Sequence, residues 1–173
     1  SSTSVTDGTT GYGEPQPIEG AVSLSASPEG EKTEFYADNR KYYVHNTNNG
    51  YSGDLEIANI PDEIIAEMLG MTINEDGMLI ESALDKRKQF ALMGQVRGDK
   101  YNRRFCYYRC EADRPEQDSS TSESSVSPST DTVSIDMLPV EDDSEIIKVV
   151  QPYSESNPEP YNTFFDSVTL PTV

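Results

Sequence analysis

From Ala21 to Ser27 the chain alternates without a break, with Val22, Leu24 and Ala26 on one side and three serines on the other. A period of two is the mark of a half-buried β-strand. Ser52 to Asn59 repeats it, with Leu55 and Ile57 inward and Asp54 and Glu56 outward. Thr132 to Leu138 does so again, setting Val133, Ile135 and Met137 against Ser134 and Asp136, and Glu145 to Val150 is a further strand. Gln89 to Val96 and Tyr101 to Cys110 flank Gly98-Asp99-Lys100 and form a hairpin. Strict alternation there puts Phe105 and Tyr107 on one face and Cys106, Tyr108 and Cys110 on the other, both faces at least partly covered. Asp76-Gly77 between Met71 to Ile73 and Met78 to Ile80 is a second hairpin signal. Thr33 to Ala37 and Lys41 to His45 fit strands or an extended loop, and Asn46 to Gly50 is turn sequence.

The period changes in one place. Ile64, Ile65, Met68 and Leu69 make an apolar stripe at helical spacing. Pro61 suits the first helical position, Asp62 and Glu63 complement the helix dipole, and Gly70 suits the C-terminal cap. A helix this short needs a sheet to pack on.

These elements divide the chain into four stretches. Residues 1–20, rich in Ser, Thr, Gly and Pro, are an N-terminal arm or loop. Residues 21–111 are a β-core carrying the helix 61–69. Residues 112–131 are a flexible loop, nearly all Ser and Thr over 119–130. Residues 132–173 hold the remaining strands, a Pro-, Ser- and Asn-rich linker over 152–163, and a C-terminal tail anchored by Phe164, Phe165, Val168 and Leu170. The fold class is mainly β: a sandwich or barrel of about eight strands, one short α-helix packed on it, and long loops.

Charge changes the picture more than length does. The 173 residues include 13 basic and 31 acidic ones, a formal net charge of −18. Such a surface repels phosphate, so attraction to nucleic acid is excluded as a function class. The basic residues cluster: Lys86, Arg87, Lys88, Arg97, Lys100, Arg103, Arg104 and Arg109 lie in one short region. Opposite patches on one molecule suit head-to-tail association, and the plainer alternative is a hairpin with a basic exposed face. The candidate interface patches are the basic hairpin with Arg97, Lys100, Arg103 and Arg104, and the acidic run with Glu141, Asp142, Asp143 and Glu145.

No phosphate-cradling Gly loop, nucleophile elbow, His-x-x-x-His or Cys-x-x-Cys pair occurs. A lone histidine, His45, offers no converging partners for a triad or a zinc site. Four residues apart on a strand, Cys106 and Cys110 share a face at a spacing of about 13 Å, too far to bond to each other. The acidic run lacks the glycine and ligand rhythm of a calcium loop. Among 31 carboxylates some fall close together by chance, so no glycosidase pair follows from spacing. No enzyme, cofactor or metal is expected. No run of about 18 apolar residues is present, and no signal peptide is visible in the first residues of the sequence.

Tyr12 to Leu69 resembles the major tail proteins of long, non-contractile-tailed bacteriophages and related prophages. The stretches that carry the resemblance are Gly13-Glu14-Pro15, Gly20 to Leu24, Phe35 to Asp38, Gly53 to Ala58 and Ile60-Pro61. It continues through Leu69-Gly70, Gly77 to Ile80, Phe90 to Gly94, Arg104 to Tyr108 and the ending Asn162 to Phe165, in order along the chain. The resemblance implies a structural virion protein that forms hexameric rings stacked into a tail tube. It would be assembled in the bacterial cytoplasm, with tape-measure and tail-terminator proteins as partners, no membrane contact, and DNA passing through the lumen unbound. An acidic lumen would repel the DNA phosphates. Two departures stand out: the family's strand before the Gly-rich arm is missing here, and the loop at 119–130 is Ser/Thr-rich where charge is expected. The alternative is an immunoglobulin-like adhesion or carbohydrate-binding module on a phage or cell surface.

Overall fold

Strict alternation of Val133, Ile135 and Met137 buries all three, at 2%, 1% and 0% exposure, while Thr132, Ser134 and Asp136 stay outside. The strand they form lies against the one carrying Leu55 and Ile57, in a register that pairs Val133 with Leu55 and Asp131 with Ile57. Around this pair a computed structural model describes residues 2–5, 11–18, 21–30, 32–37, 40–46, 48–58, 60–96, 98–115, 131–141 and 144–171. For 2–5, 21–22, 32–37 and 40–46 it describes the backbone only.

The described residues form thirteen strands and two helices. The strands are β1 (Ser2–Val5), β2 (Gln16–Pro17), β3 (Ala21–Leu24), β4 (Ser27–Glu29), β5 (Lys32–Ala37), β6 (Arg40–Asn46) and β7 (Gly50–Ile57). After helix α1 (Asp62–Leu69) come β8 (Thr72–Ile73), β9 (Leu79–Ile80), β10 (Phe90–Gln95), β11 (Arg104–Ala112), β12 (Asp131–Leu138) and β13 (Lys148–Gln151), then α2 (Glu159–Asn162). The protein is mainly β. One antiparallel sheet runs β2-β1-β10-β11-β12-β7-β3 and curls on itself. On the β12 side of β11, β13 takes the half that β12 leaves, and β4 pairs β7 beyond β3. The hairpins β5-β6 and β8-β9 are separate two-stranded ribbons.

The helix forms where the stripe predicted it. Pro61 stands at the cap, one place before the first turn, where its missing N–H is harmless. Gly70 closes the last turn at φ 73°, a left-handed conformation that an L side chain resists. Any Cβ at Gly70 would also run into the Lys86 carbonyl. Ile64, Met68 and Leu69 face the sheet and join Leu55, Ile57, Phe90, Leu92, Tyr107, Cys110 and Ile135 in the main core. The other face of β10 and β11 buries Ala91, Met93, Cys106 and Tyr108 beneath Phe164, Phe165 and Val168 of the C-terminal segment. Both faces of the central hairpin are therefore covered, as its sequence required.

Several expectations need correction. The two cysteines do not share a face. The pairing of β10 with β11 slips between Phe90 and Leu92, so that Phe90 opposes Cys110 while Leu92 opposes Tyr107. The extra residue on β11 is a bulge, which reverses the alternation and sends Cys110 into the main core and Cys106 into the other. Residues 2–5 and 16–17, expected in an arm, are strands, with Ser2 to Val5 pairing Met93 to Phe90. They are held by backbone hydrogen bonds, which leave no apolar alternation to read. The last strand begins at Lys148 rather than Glu145, whose φ of 47° excludes it from a strand. The linker 152–163 contains α2, and Leu170 is 39% exposed rather than an anchor. Strands outnumber the expected eight because several have only two to four residues. The loop at 116–130 lies outside the described residues.

Candidate functional site

Both thiols are free and buried in the core, and burial disarms both. Desolvation pushes Cys106 from 9.0 up to about 12 and raises Cys110 as well. Among the described residues no group of three His, Cys, Asp or Glu side chains could hold a metal ion. His45 lies on β6 with its side chain outside the described residues.

The proposed charge patches are placed more variously than their sequence suggested. Arg97, Asp142 and Asp143 lie outside the described residues. Lys100 is exposed, its ammonium 5.5 Å from the centre of the Tyr101 ring. Arg103 is exposed too, but it grips Asp99 at 2.7 Å, and that hydrogen bond lowers the Asp99 pKa. Arg104 points the other way. Its guanidinium stacks 3.9 Å from the centre of Tyr161 and 4.6 Å from that of Phe165, and donates to the Tyr161 carbonyl. It pins α2 and the following segment onto β11, so its charge is engaged within the chain. Glu141 is likewise engaged internally, 2.7 Å from Arg109, which also donates to the Pro139 carbonyl at 3.2 Å. Glu145 remains exposed.

Two features were missed that bear on association. The first is the open end of the curled sheet. Leu24, Phe105, Tyr107, Val96 and Val150 line a cleft of about 270 Å3 there, with Arg103 and Lys148 at its rim. Its lining rings Phe105 and Tyr107 continue a row of edge-to-face aromatics: Tyr107 lies 5.8 Å from Phe105, and Tyr51, outside that lining, lies 5.7 Å from Tyr107. The Phe105 ring lies over Gly94, where a Cβ would come within 2.4 Å of it. Lys148 holds its ammonium 4.3 Å from the Tyr51 ring centre. Glycine opposite a large aromatic across a strand pair was the available signal.

The second feature is the set of sheet edges. Among the described residues no strand pairs with the outer edges of β2, β3, β4 or β13. Pro17 and Pro28 blunt β2 and β4, because proline offers no N–H to an incoming strand. β3 (Ala-Val-Ser-Leu) and β13 (Lys-Val-Val-Gln) carry no such guard. The β3–β4 corner is set by Gly53, where a Cβ would lie 1.9 Å from the Ser25 carbonyl.

No known family model matches the sequence, and no curated protein matches it significantly.

Proposed function

We propose that the chain is the structural subunit of a bacteriophage tail tube, assembling into six-membered rings that stack around a DNA conduit. The observation that carries this is the open curled sheet whose edges at β3 and β13 carry no proline and pair with no strand among the described residues. An exposed strand edge is a template for pairing, and proteins that act alone cover or blunt it. Pairing between copies would turn open sheets into a closed wall without edges. The separate ribbon β5-β6 adds support, since a two-stranded ribbon is marginal in water and gains from a neighbour to lie against. The net charge of −18 suits a lumen through which DNA slides without sticking. The order of stretches along the sequence that resembles tail proteins supports the same function. Its place would be the virion tail, with the tape-measure and tail-terminator proteins as further partners.

Electron microscopy of the concentrated protein is the test. Rings of six-fold symmetry, or tubes, are expected; a monodisperse monomer at high concentration would refute the proposal. One observation favours the adhesion or carbohydrate-binding alternative. Tyr101 and Tyr153 are 54% and 47% exposed, and their backbones are joined by a 3.2 Å hydrogen bond. Glycan binding by a monomer, lost on Tyr153→Ala, would decide for it.

A further inference from the structure

Four of the exposed large apolar side chains, Ile73, Met78, Ile80 and Leu84, lie in one stretch of twelve residues. Leu84 is 88% exposed, more than any other large apolar residue among those described. It is not on a loose loop. The Ser82 N–H donates to Asp85 at 2.6 Å, the Leu84 N–H to the Ser82 hydroxyl at 3.2 Å, and the Asp85 N–H to the Ser82 carbonyl at 3.1 Å. A Glu81–Arg114 ion pair at 2.9 Å ties the turn to the end of β11. An exposed leucine on a hydrogen-bonded turn gains the monomer nothing, and the fixed backbone prepays part of the ordering that docking requires.

From Met71 to Asp85 the chain has four carboxylates and no basic residue. Lys86, Arg87 and Lys88 follow, with Arg87 paired to Asp113. At the other end of β11 the cleft combines the opposite properties. Val96 and Val150 are 44% and 42% exposed beside its aromatic lining, and the rim carries Lys148 and the Asp99-paired Arg103. An apolar knob with acids thus stands on the order of 25 Å, at one strand rise per residue, from an apolar socket with cations.

We infer that Leu84 and its turn dock into the open end of the curled sheet of a second copy, between Val96 and Val150, with the acidic hairpin against Lys148. The surfaces differ, so the contact is heterologous, and repetition extends it into a ring or a filament rather than a closed pair. This rests on the self-assembly proposed above and names the surfaces that perform it.

Leu84→Asp removes the knob at an exposed position, and Val150→Asp spoils the socket. Circular dichroism checks that each variant folds, and Val96→Asp replaces Val150→Asp if it does not. By sedimentation each variant alone should be monomeric, its association weakened about 30-fold or more, as expected for an interface anchor. Mixed in equal amounts they should form dimers and stop, because one variant keeps a socket and the other a knob. Variants that assemble like the parent protein, or a mixture that stays monomeric, would overturn the inference. Parent rings unaffected by Leu84→Asp would overturn it and leave the tube proposal standing. Leu84-dependent chains without six-fold rings would uphold it and remove the tube, and a monomeric parent would remove both.

Discussion

The two faces of the β10–β11 hairpin are buried by different means. On one, α1 brings a continuous stripe, and Phe90, Leu92, Tyr107 and Cys110 disappear into a core of Ile, Leu, Met and Val. On the other, an irregular segment following α2 lies across Ala91, Met93, Cys106 and Tyr108 and leaves a cleft of about 330 Å3 beside them. What holds that segment is a handful of directional contacts. Arg104 stacks on Tyr161 and Phe165, the Tyr161 hydroxyl donates to the Asn102 carbonyl at 2.8 Å, and the Tyr108 hydroxyl donates to the Thr169 carbonyl at 2.9 Å. Burial of apolar area is non-directional and survives small shifts. A strap held by a few pinned points is lost when one pin goes. The helix face should therefore set global stability, and the strap face should open locally.

The largest loss of stability should come at Phe90. Its side chain is fully buried in the main core, and Phe90→Ala should lower unfolding stability by about 3–5 kcal/mol, read from the urea midpoint. Loss on this face should be global, exposing Cys106 and Cys110 to a thiol reagent together. Arg104→Ala acts on the other face. Loss of a partly buried cation–π contact and its hydrogen bond should reduce stability by about 1–2 kcal/mol. More telling is where the change appears: Cys106 should label faster while Cys110, under the helix, keeps its parental rate. Equal acceleration of both thiols would show that the strap is part of the global core.

The thiols also report through pH. Both have folded-state values above the ordinary 9.0, because burial penalises the thiolate. A group that ionises more easily unfolded than folded contributes stability that is whole below the unfolded value and is lost as pH rises through the folded one. Urea midpoints should hold constant up to about pH 9 and fall towards about pH 12. In Cys106→Ala the fall should be shallower; an unchanged slope would exclude Cys106 as its source.

How much of this was legible depended on what held each element in place. Val133, Ile135 and Met137 alternate because one face of their strand meets only apolar neighbours, so the burial was written in the period. Gly70 and the Ile64–Leu69 stripe announced the helix for the same local reason. The bulge in β11 left no trace, since Arg-Phe-Cys-Tyr-Tyr-Arg-Cys alternates as well with the slip as without it. Ser2 to Val5 has nothing apolar to alternate until β10 offers it an edge. Charge runs do not encode burial: Arg104 is partly buried against Tyr161 and Phe165, whereas Glu141 pairs with Arg109 and stays exposed. Arginine can bury its planar head against aromatic rings far along the chain, a long-range pairing that spacing does not encode.

Arg103 and Arg104 give the smallest and sharpest form of the same contrast. They are sequence neighbours of equal charge at the start of β11, Arg103 just before it and Arg104 its first residue, and they reach different surroundings. Arg103 is out in water at the rim of the open end, joined to an Asp99 four residues before it. Exposed ion pairs of this kind are screened and hold side chains that lose freedom in forming them, so their net effect is small. Arg103→Ala should leave the urea midpoint within experimental scatter and the labelling of both cysteines unchanged. Its one expected effect is on association, weakened modestly and more at low salt than at high, because it removes a cation from the socket rim. If Arg103→Ala instead accelerated Cys106 labelling as Arg104→Ala does, the strap would be held by the charge of the hairpin end as a whole, and the specific stacking of Arg104 on Tyr161 and Phe165 would not be its pin.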